Sequence, residues 1–317
     1  MGNGSSSPWY FKQTYDVTDE EAYERAKRLK RVKKRNTKLN VRSMSENGAV
    51  SDSLSPSAKK INTFSIIHFN DCYEARSPDS SQCSENPGAA RFVHEIIQER
   101  QELKRLNNEI SPLVFFSGDI MNPSVLSICD KGMHMAKVLN KCAIDCACFG
   151  NHEFDFGKDE LNNFVTETDF PWVVSNVKER DSGKPVAGAM ESCFIQYTNN
   201  LRIGIVGLVE EDWLETLTAF TKEDLDYEDY VPVARKQIDI LIKKQHCNFI
   251  IALTHMRWNN DERLQRQVPE IDLILGGHDH DYAIKPRKSS NGRDKMPLII
   301  KSGSDFRTYS VIQVFLS

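Results

Sequence analysis

CACFGNHEFD, residues 146–155, begins as an apolar run and breaks at Gly150 into Asn151, His152, Glu153 and Asp155, all crowded around one glycine. In open α/β sheets, ligands collect beyond the carboxyl ends of the strands. Four other places repeat this form: His68-Phe69-Asn70-Asp71-Cys72-Tyr73, Ser117-Gly118-Asp119, Thr254-His255 and Gly276-Gly277-His278-Asp279-His280. A Gly-Asp pair by itself is more often a turn, and a lone Thr-His reads equally well as a satisfied strand-end histidine. The ordered set of five is hard to obtain by chance, and it implies five strand ends converging on one site.

The spacings suit coordination. Asp71 and Tyr73 are two apart, as are His278 and His280, so extended backbone would point each pair to one face. Glycines before Asp119, Asn151 and His278 remove bulk where backbone must approach an ion. Mixed carboxylate, amide and imidazole donors suit Mn, Fe, Co, Ni or Zn better than Ca.

Outward from these motifs, apolar runs predict strands at 64–69, 113–117, 146–149, 172–174, 194–197, 203–209, 248–254, 271–276, 298–301 and 309–315. Helical stretches at 89–106, 133–142, 158–168 and 232–245 fall between them. Strands alternating with helices indicate a layered α/β domain over residues 61–317. The hairpin-like stretch 194–209 adds an antiparallel contribution, so the sheets are expected to be mixed. The strand at 309–315 is either an inner strand or an exposed edge. His68, His94, His134 and His246 read as structural, Met133 and Met135 as helix packing, and the Gly204–Gly207 stretch lacks the third glycine of a dinucleotide fingerprint.

Residues 1–60 differ in kind. They hold 13 basic against 7 acidic residues, whereas residues 61–317 hold 28 against 38. With few large apolar residues between Val41 and Ser57, this segment reads as a flexible basic arm with one conditional helix near residues 18–38. Its start, Met1-Gly2-Asn3-Gly4-Ser5-Ser6, has the myristoylation form with Gly2 as acceptor. Nine Lys/Arg between Arg25 and Lys38 would supply the second, polybasic signal toward an anionic membrane surface. The competing readings of the arm are a solvated tail and a nuclear-import or nucleic-acid patch; without interleaved aromatics the nucleic-acid reading is weak. No run approaches the roughly 18 apolar residues of a membrane span. The eight cysteines lack paired CxxC spacing, so reduced thiols in a cytoplasmic protein are expected, with a Cys72–Cys83 loop bridge as the alternative.

At the five motifs the chain resembles the calcineurin-like metallophosphoesterase superfamily, and within it the catalytic domain of the 5′-nucleotidase family, over about residues 62–317. The resemblance implies a four-layer α/β/β/α sandwich with two divalent ions in its cleft. It implies one ion on Asp71, the residue at position 73, Asp119 and His280. A second would lie on Asn151, His255, His278 and the bridging Asp119. His152, oriented by Asp155, would be the catalytic dyad. The implied function is hydrolysis of phosphoesters, as a nucleotide phosphomonoesterase in nucleotide catabolism or as a phosphodiesterase.

Position 73 departs from this pattern, being Tyr where the family has His. Tyr73 is either a phenolate ligand to a ferric-like ion or the neighbour of a weak first site filled by water. That departure favours the alternative of a catalytically silent scaffold or binding protein tethered to a membrane; retention of His152, Asp155 and the remaining ligand types opposes it. Family members also carry a C-terminal domain that grips the nucleoside. A natural protein longer than Ser317 would therefore be expected to take nucleotides, and one ending there a less specific phosphoester.

Overall fold

A computed structural model describes residues 9–16, 63–76, 88–107, 109–215, 217, 219–220, 223–285 and 297–316. Its first six-stranded sheet comprises β1 (Trp9–Asp16), β2 (Thr63–Phe69), β3 (Leu113–Ser117), β4 (Cys146–Cys148), β5 (Trp172–Val173) and β14 (Thr308–Phe315), in the order β1-β14-β2-β3-β4-β5. The run from β2 to β5 is parallel, and β14 is antiparallel to both its neighbours. The second sheet comprises β7 (Ser192–Thr198), β8 (Leu201–Val209), β10 (Phe249–His255), β11 (Leu273–Gly277), β12 (Tyr282–Lys285) and β13 (Leu298–Ser302), in the order β12-β13-β11-β10-β8-β7. Its four central strands are parallel and both edges antiparallel. A short ribbon pairs β6 (Val177–Glu179) with β9 (Leu225–Tyr227).

Strand alternation builds the layers. Leu113 and Phe115 of β3 point between the sheets, where they meet Ile203, Ile205, Ile251 and Leu253. Val114 and Phe116 point outward onto α1 (Gly88–Leu106), α3 (Met133–Cys142) and α4 (Lys158–Thr166) through Phe92, Leu139 and Phe164. On the far side, Val206, Ala252 and Ile274 pack against α5 (Tyr230–Lys243) and α6 (Trp258–Gln267). The result is the expected α/β/β/α sandwich. Three apolar interfaces, each built by period-2 strands, bind it together.

Several expectations change. The stretch 9–16, assigned by sequence to the arm, is a strand paired to β14, which makes β14 an inner strand. The remaining arm, with Gly2 and the predicted helix, lies outside the described residues. Helix α6 was not anticipated, because its sequence WNNDERLQRQ carries no apolar stripe and it buries Asp261 and Gln265 beside Leu264. The short helix α2 (Val125–Asp130), capped by the Ser124 side chain, was also missed. Cys72, Cys142, Cys146 and Cys148 are buried free thiols; Cys83 lies outside the described residues.

Candidate metal centre

The carboxyl ends of β2, β3, β4, β10 and β11 bring the five motifs together. Asp71 and Asp119 are almost wholly buried, as is His255. Backbone strain marks the place: Asp71, Asp119, His278 and His280 all have positive φ, at 53°, 67°, 82° and 58°. Non-glycine residues hold that conformation only where the surroundings over-determine it, and such residues cluster at functional sites. The anticipated close approaches are present. A Cβ on Gly150 would lie 2.2 Å from Asp119 Oδ1, and one on Gly277 would lie 2.4 Å from the Ser117 carbonyl.

Among the described residues, two clusters of facing donor atoms form here: Asp71, Asp119 and His280, and Asp119, His255 and His278. Asp119 belongs to both. The expectation that His278 and His280 share one face fails, because both lie in left-handed rather than extended backbone, and the turn delivers one imidazole to each cluster. Asp71 and Tyr73 do meet: the Tyr73 hydroxyl donates to Asp71 Oδ1 at 3.0 Å. That hydroxyl is also 3.0 Å from Asp119 Oδ2 and 2.7 Å from His280 Nε2. Burial, followed by the Asp119 and Asp71 charges, raises the phenol well above its ordinary value.

The second cluster differs. His255 Nδ1 donates to the Ser117 carbonyl at 2.7 Å, so Nε2 faces Asp119 Oδ2, 3.2 Å away but outside hydrogen-bonding geometry. Burial opposes charge on His255, yet Asp119 and Asp71 outweigh it and lift the imidazole to about 10. A metal ion replacing that proton would answer the same two carboxylates. His278 moves down, through burial and then the charge of His255, which favours its neutral, ligating form. His255 Nε2 and Asn151 Oδ1 are both buried without a hydrogen-bond partner. Buried polar atoms are rarely left so, and with Asp119 and His278 these two atoms fit a transition metal of the Mn-to-Zn kind.

Beside this lies the expected dyad. His152 Nδ1 is 2.7 Å from Asp155 Oδ2, which also accepts from Asn122 Nδ2 at 2.5 Å. The His152 backbone N–H donates to Asp119 Oδ1 at 2.9 Å, tying the dyad to the bridging carboxylate. Burial would lower the His152 value, but the Asp155 hydrogen bond and the Asp119 charge leave it raised.

Four supporting residues were not assigned roles from sequence. Glu153 accepts backbone N–H groups from Asp119 at 2.8 Å, Ile120 at 2.6 Å and Gly150 at 2.6 Å, clamping two motif loops together. Asn70 donates to Asp71 Oδ2 at 2.5 Å and to the Gly303 carbonyl at 2.8 Å. Glu210, 1% exposed, accepts from the Arg257 backbone and side chain and lies 3.4 Å from His278 Nε2. Lys301, wholly buried, donates to the carbonyls of Met256 and Gly277, the residues beside His255 and His278. Glu153 and Asn70 stand inside the quoted motifs, a readable signal, whereas Lys301, within the apolar strand β13, gave no sign of its partners. His68, read as structural, bonds to Ser117 of β3 and Ser302 of β13.

Comparison with known proteins agrees with this geometry. The model of the calcineurin-like phosphoesterase family matches residues 64–282. A human 5′-nucleotidase is 27% identical over 263 residues, which are 79% of this chain and 44% of that protein. A rat 5′-nucleotidase is 29% identical over the same shares. The chain thus spans less than half the length of these curated relatives. Among solved structures, a 5′-nucleotidase precursor from Thermus thermophilus superposes with a TM-score of 0.66 at 20% identity, covering 80% of this chain and 52% of that one. A calcineurin-like phosphoesterase from Bacillus subtilis gives 0.64 at 20%, covering 80% and 84%.

Proposed function

Because the chain belongs to the calcineurin-like phosphoesterase family, we propose that it hydrolyses phosphomonoesters, nucleotides foremost, at a metal centre held by Asp119. The observation that carries this reading is the join between dyad and centre, in which one buried carboxylate serves both donor clusters and accepts from the His152 backbone. A divalent ion on Asp119, Asn151, His255 and His278 would supply Lewis acidity toward the phosphoryl oxygens.

The chain's own residues do the remainder. Asp155 holds His152 through Nδ1 and stabilises the imidazolium, leaving Nε2 to give its proton to the departing ester oxygen. Glu153 fixes the Asp119 and Gly150 loops, so the dyad and the ligands keep their spacing. The nucleotide assignment leans on the curated relatives. Fold alone does not choose a substrate, and a Thermus thermophilus sulfate thiohydrolase shares the architecture at a TM-score of 0.63 and 14% identity. For the arm, the proposal is attachment to an anionic membrane surface through acylated Gly2 and the basic run 25–38.

A silent scaffold is the second reading, favoured by the Tyr73 hydroxyl lying among Asp71, Asp119 and His280. Hydrolysis of p-nitrophenyl phosphate, its bis ester and AMP with Mn²⁺ separates the two. His152→Ala should lose about 10²–10⁴-fold in kcat, and Asp119→Asn should lose the metal dependence as well. Wild-type turnover no higher than that of either variant would leave only the scaffold.

A further inference from the structure

The two donor clusters are not equivalent, and the difference lies in what each already holds. We propose that the Tyr73 hydroxyl takes the place of an ion between Asp71, Asp119 and His280, so that the centre accepts a single metal ion, on Asp119, Asn151, His255 and His278. This rests on the metal-centre reading above and alters its stoichiometry from the two ions that the family resemblance implies.

Hydrogen bonding is the first support. The hydroxyl oxygen lies 3.0 Å from Asp71 Oδ1, 3.0 Å from Asp119 Oδ2 and 2.7 Å from His280 Nε2, reaching every member of the first cluster. One hydroxyl, sharing its single hydrogen between the two carboxylates and free to accept from His280, thereby contacts the three side chains that would otherwise share a cation. No buried side-chain atom of Asp71, Asp119 or Tyr73 lacks a hydrogen-bond partner, whereas the second group contains two that do: Asn151 Oδ1, and His255 Nε2, which has only the charge of Asp119 Oδ2 at 3.2 Å beside it. Buried polar atoms are paired in folded proteins. The atoms that lack a partner therefore mark the position that requires a ligand.

Anchoring is the second support. Tyr73 is 7% exposed, and its ring lies 5.7 Å from that of His152 and 5.3 Å from that of His280. The backbone on its N-terminal side is tied down, with Asp71 N–H donating to the Gly118 carbonyl at 2.9 Å and Cys72 N–H to that of Asp119 at 2.8 Å. A ring held at both ends does not swing aside to admit an ion. A protonated phenol is in turn a poor ligand, unlike the imidazole it replaces.

Metal counting tests this directly. Protein stripped with chelator, reloaded with Mn²⁺ and desalted should carry one ion per wild-type chain and two per Tyr73→His chain. The Mn²⁺ electron paramagnetic resonance spectrum should be that of an isolated ion in the wild type and of a coupled pair in the variant. His280→Ala provides an independent arm that leaves Tyr73 in place. It should shift Mn²⁺ affinity by less than about 3-fold, whereas His278→Ala weakens it by at least about 10-fold. Two ions in the wild type would overturn the proposal while leaving the metal centre intact. So would a ferric–phenolate absorption band in iron-loaded wild type that disappears in Tyr73→Phe. No bound ion in either the wild type or Tyr73→His would overturn the metal centre itself, and this proposal with it.

Discussion

Lys301→Met should destabilise the protein severely, and the structure indicates by how much. The Lys301 ammonium is wholly buried and has four acceptors around it: the carbonyls of Met256 at 2.5 Å and Gly277 at 2.6 Å, Asp279 Oδ2 at 2.6 Å and Asp261 Oδ2 at 2.9 Å. An ammonium has three hydrogens, which explains why Asp261 Oδ2 has no hydrogen bond despite its closeness; charge alone holds it. Burial opposes the charged lysine, and the two aspartates more than offset that. Methionine nearly matches lysine in volume, so the substitution leaves little cavity and acts through polarity. It strands the Asp261 carboxylate, 0% exposed, and unpairs two carbonyls. Breaking a buried pair by removing one partner costs about 3–5 kcal/mol, which lowers Tm by about 10 °C for a domain of this size. Circular dichroism melting of wild type, Lys301→Met and Lys301→Met/Asp261→Asn is the assay. The double variant should recover part of the loss, because its uncompensated charge is gone. A fall in Tm below about 3 °C, or a double variant no better than the single one, would refute the account of Lys301 as the buried counter-charge.

Three further outcomes are expected. Glu153→Gln keeps one acceptor oxygen but turns an amide N–H toward backbone N–H groups now bonded at 2.6–2.8 Å; urea unfolding should report a loss of about 3 kcal/mol. His68 is held neutral, at about 3, by burial and then by the nearby Lys301 charge. The unfolded chain takes up this proton below about 6.5, so between pH 6.5 and 3 acid favours unfolding, by up to about 1.4 kcal/mol per pH unit. Urea titrations at pH 6 and pH 5 should show this slope in wild type and not in His68→Asn. Substituting Gly2→Ala should move the full chain from the membrane to the soluble fraction, since a basic segment retains little without its acyl chain; unchanged fractionation would remove the membrane proposal.

What the sequence disclosed, and what it withheld, follows from how each residue does its work. Asp71, Asp119, His152, Asp155, His255, His278 and His280 were legible because a polar residue directly after an apolar strand has few structural reasons to be there, and five such places in order share one explanation. The layered fold was legible for a related reason: residues such as Phe115 and Phe116 sit on opposite faces of one strand, and each face needs its own covering layer. Helix α6 was hidden because it buries polar side chains, Asp261 and Gln265, where a periodicity argument looks for leucines. Lys301 was hidden with it, since Asp261 is one of its partners and neither residue is interpretable without the other. The strand spacing rule failed at His278 and His280 because it assumes extended backbone, and both residues are left-handed. Tyr73 is the instructive case. Tyr73 does lie beside Asp71, though Asp71 is itself left-handed rather than extended, and spacing treats position 73 as a slot for a ligand and cannot say what a phenol does there. The contacts supply what spacing cannot: a hydroxyl within hydrogen-bond distance of Asp71, Asp119 and His280, where the family resemblance implies a cation. The proposed effect of tyrosine at position 73 is therefore to alter the composition of the centre without dismantling it.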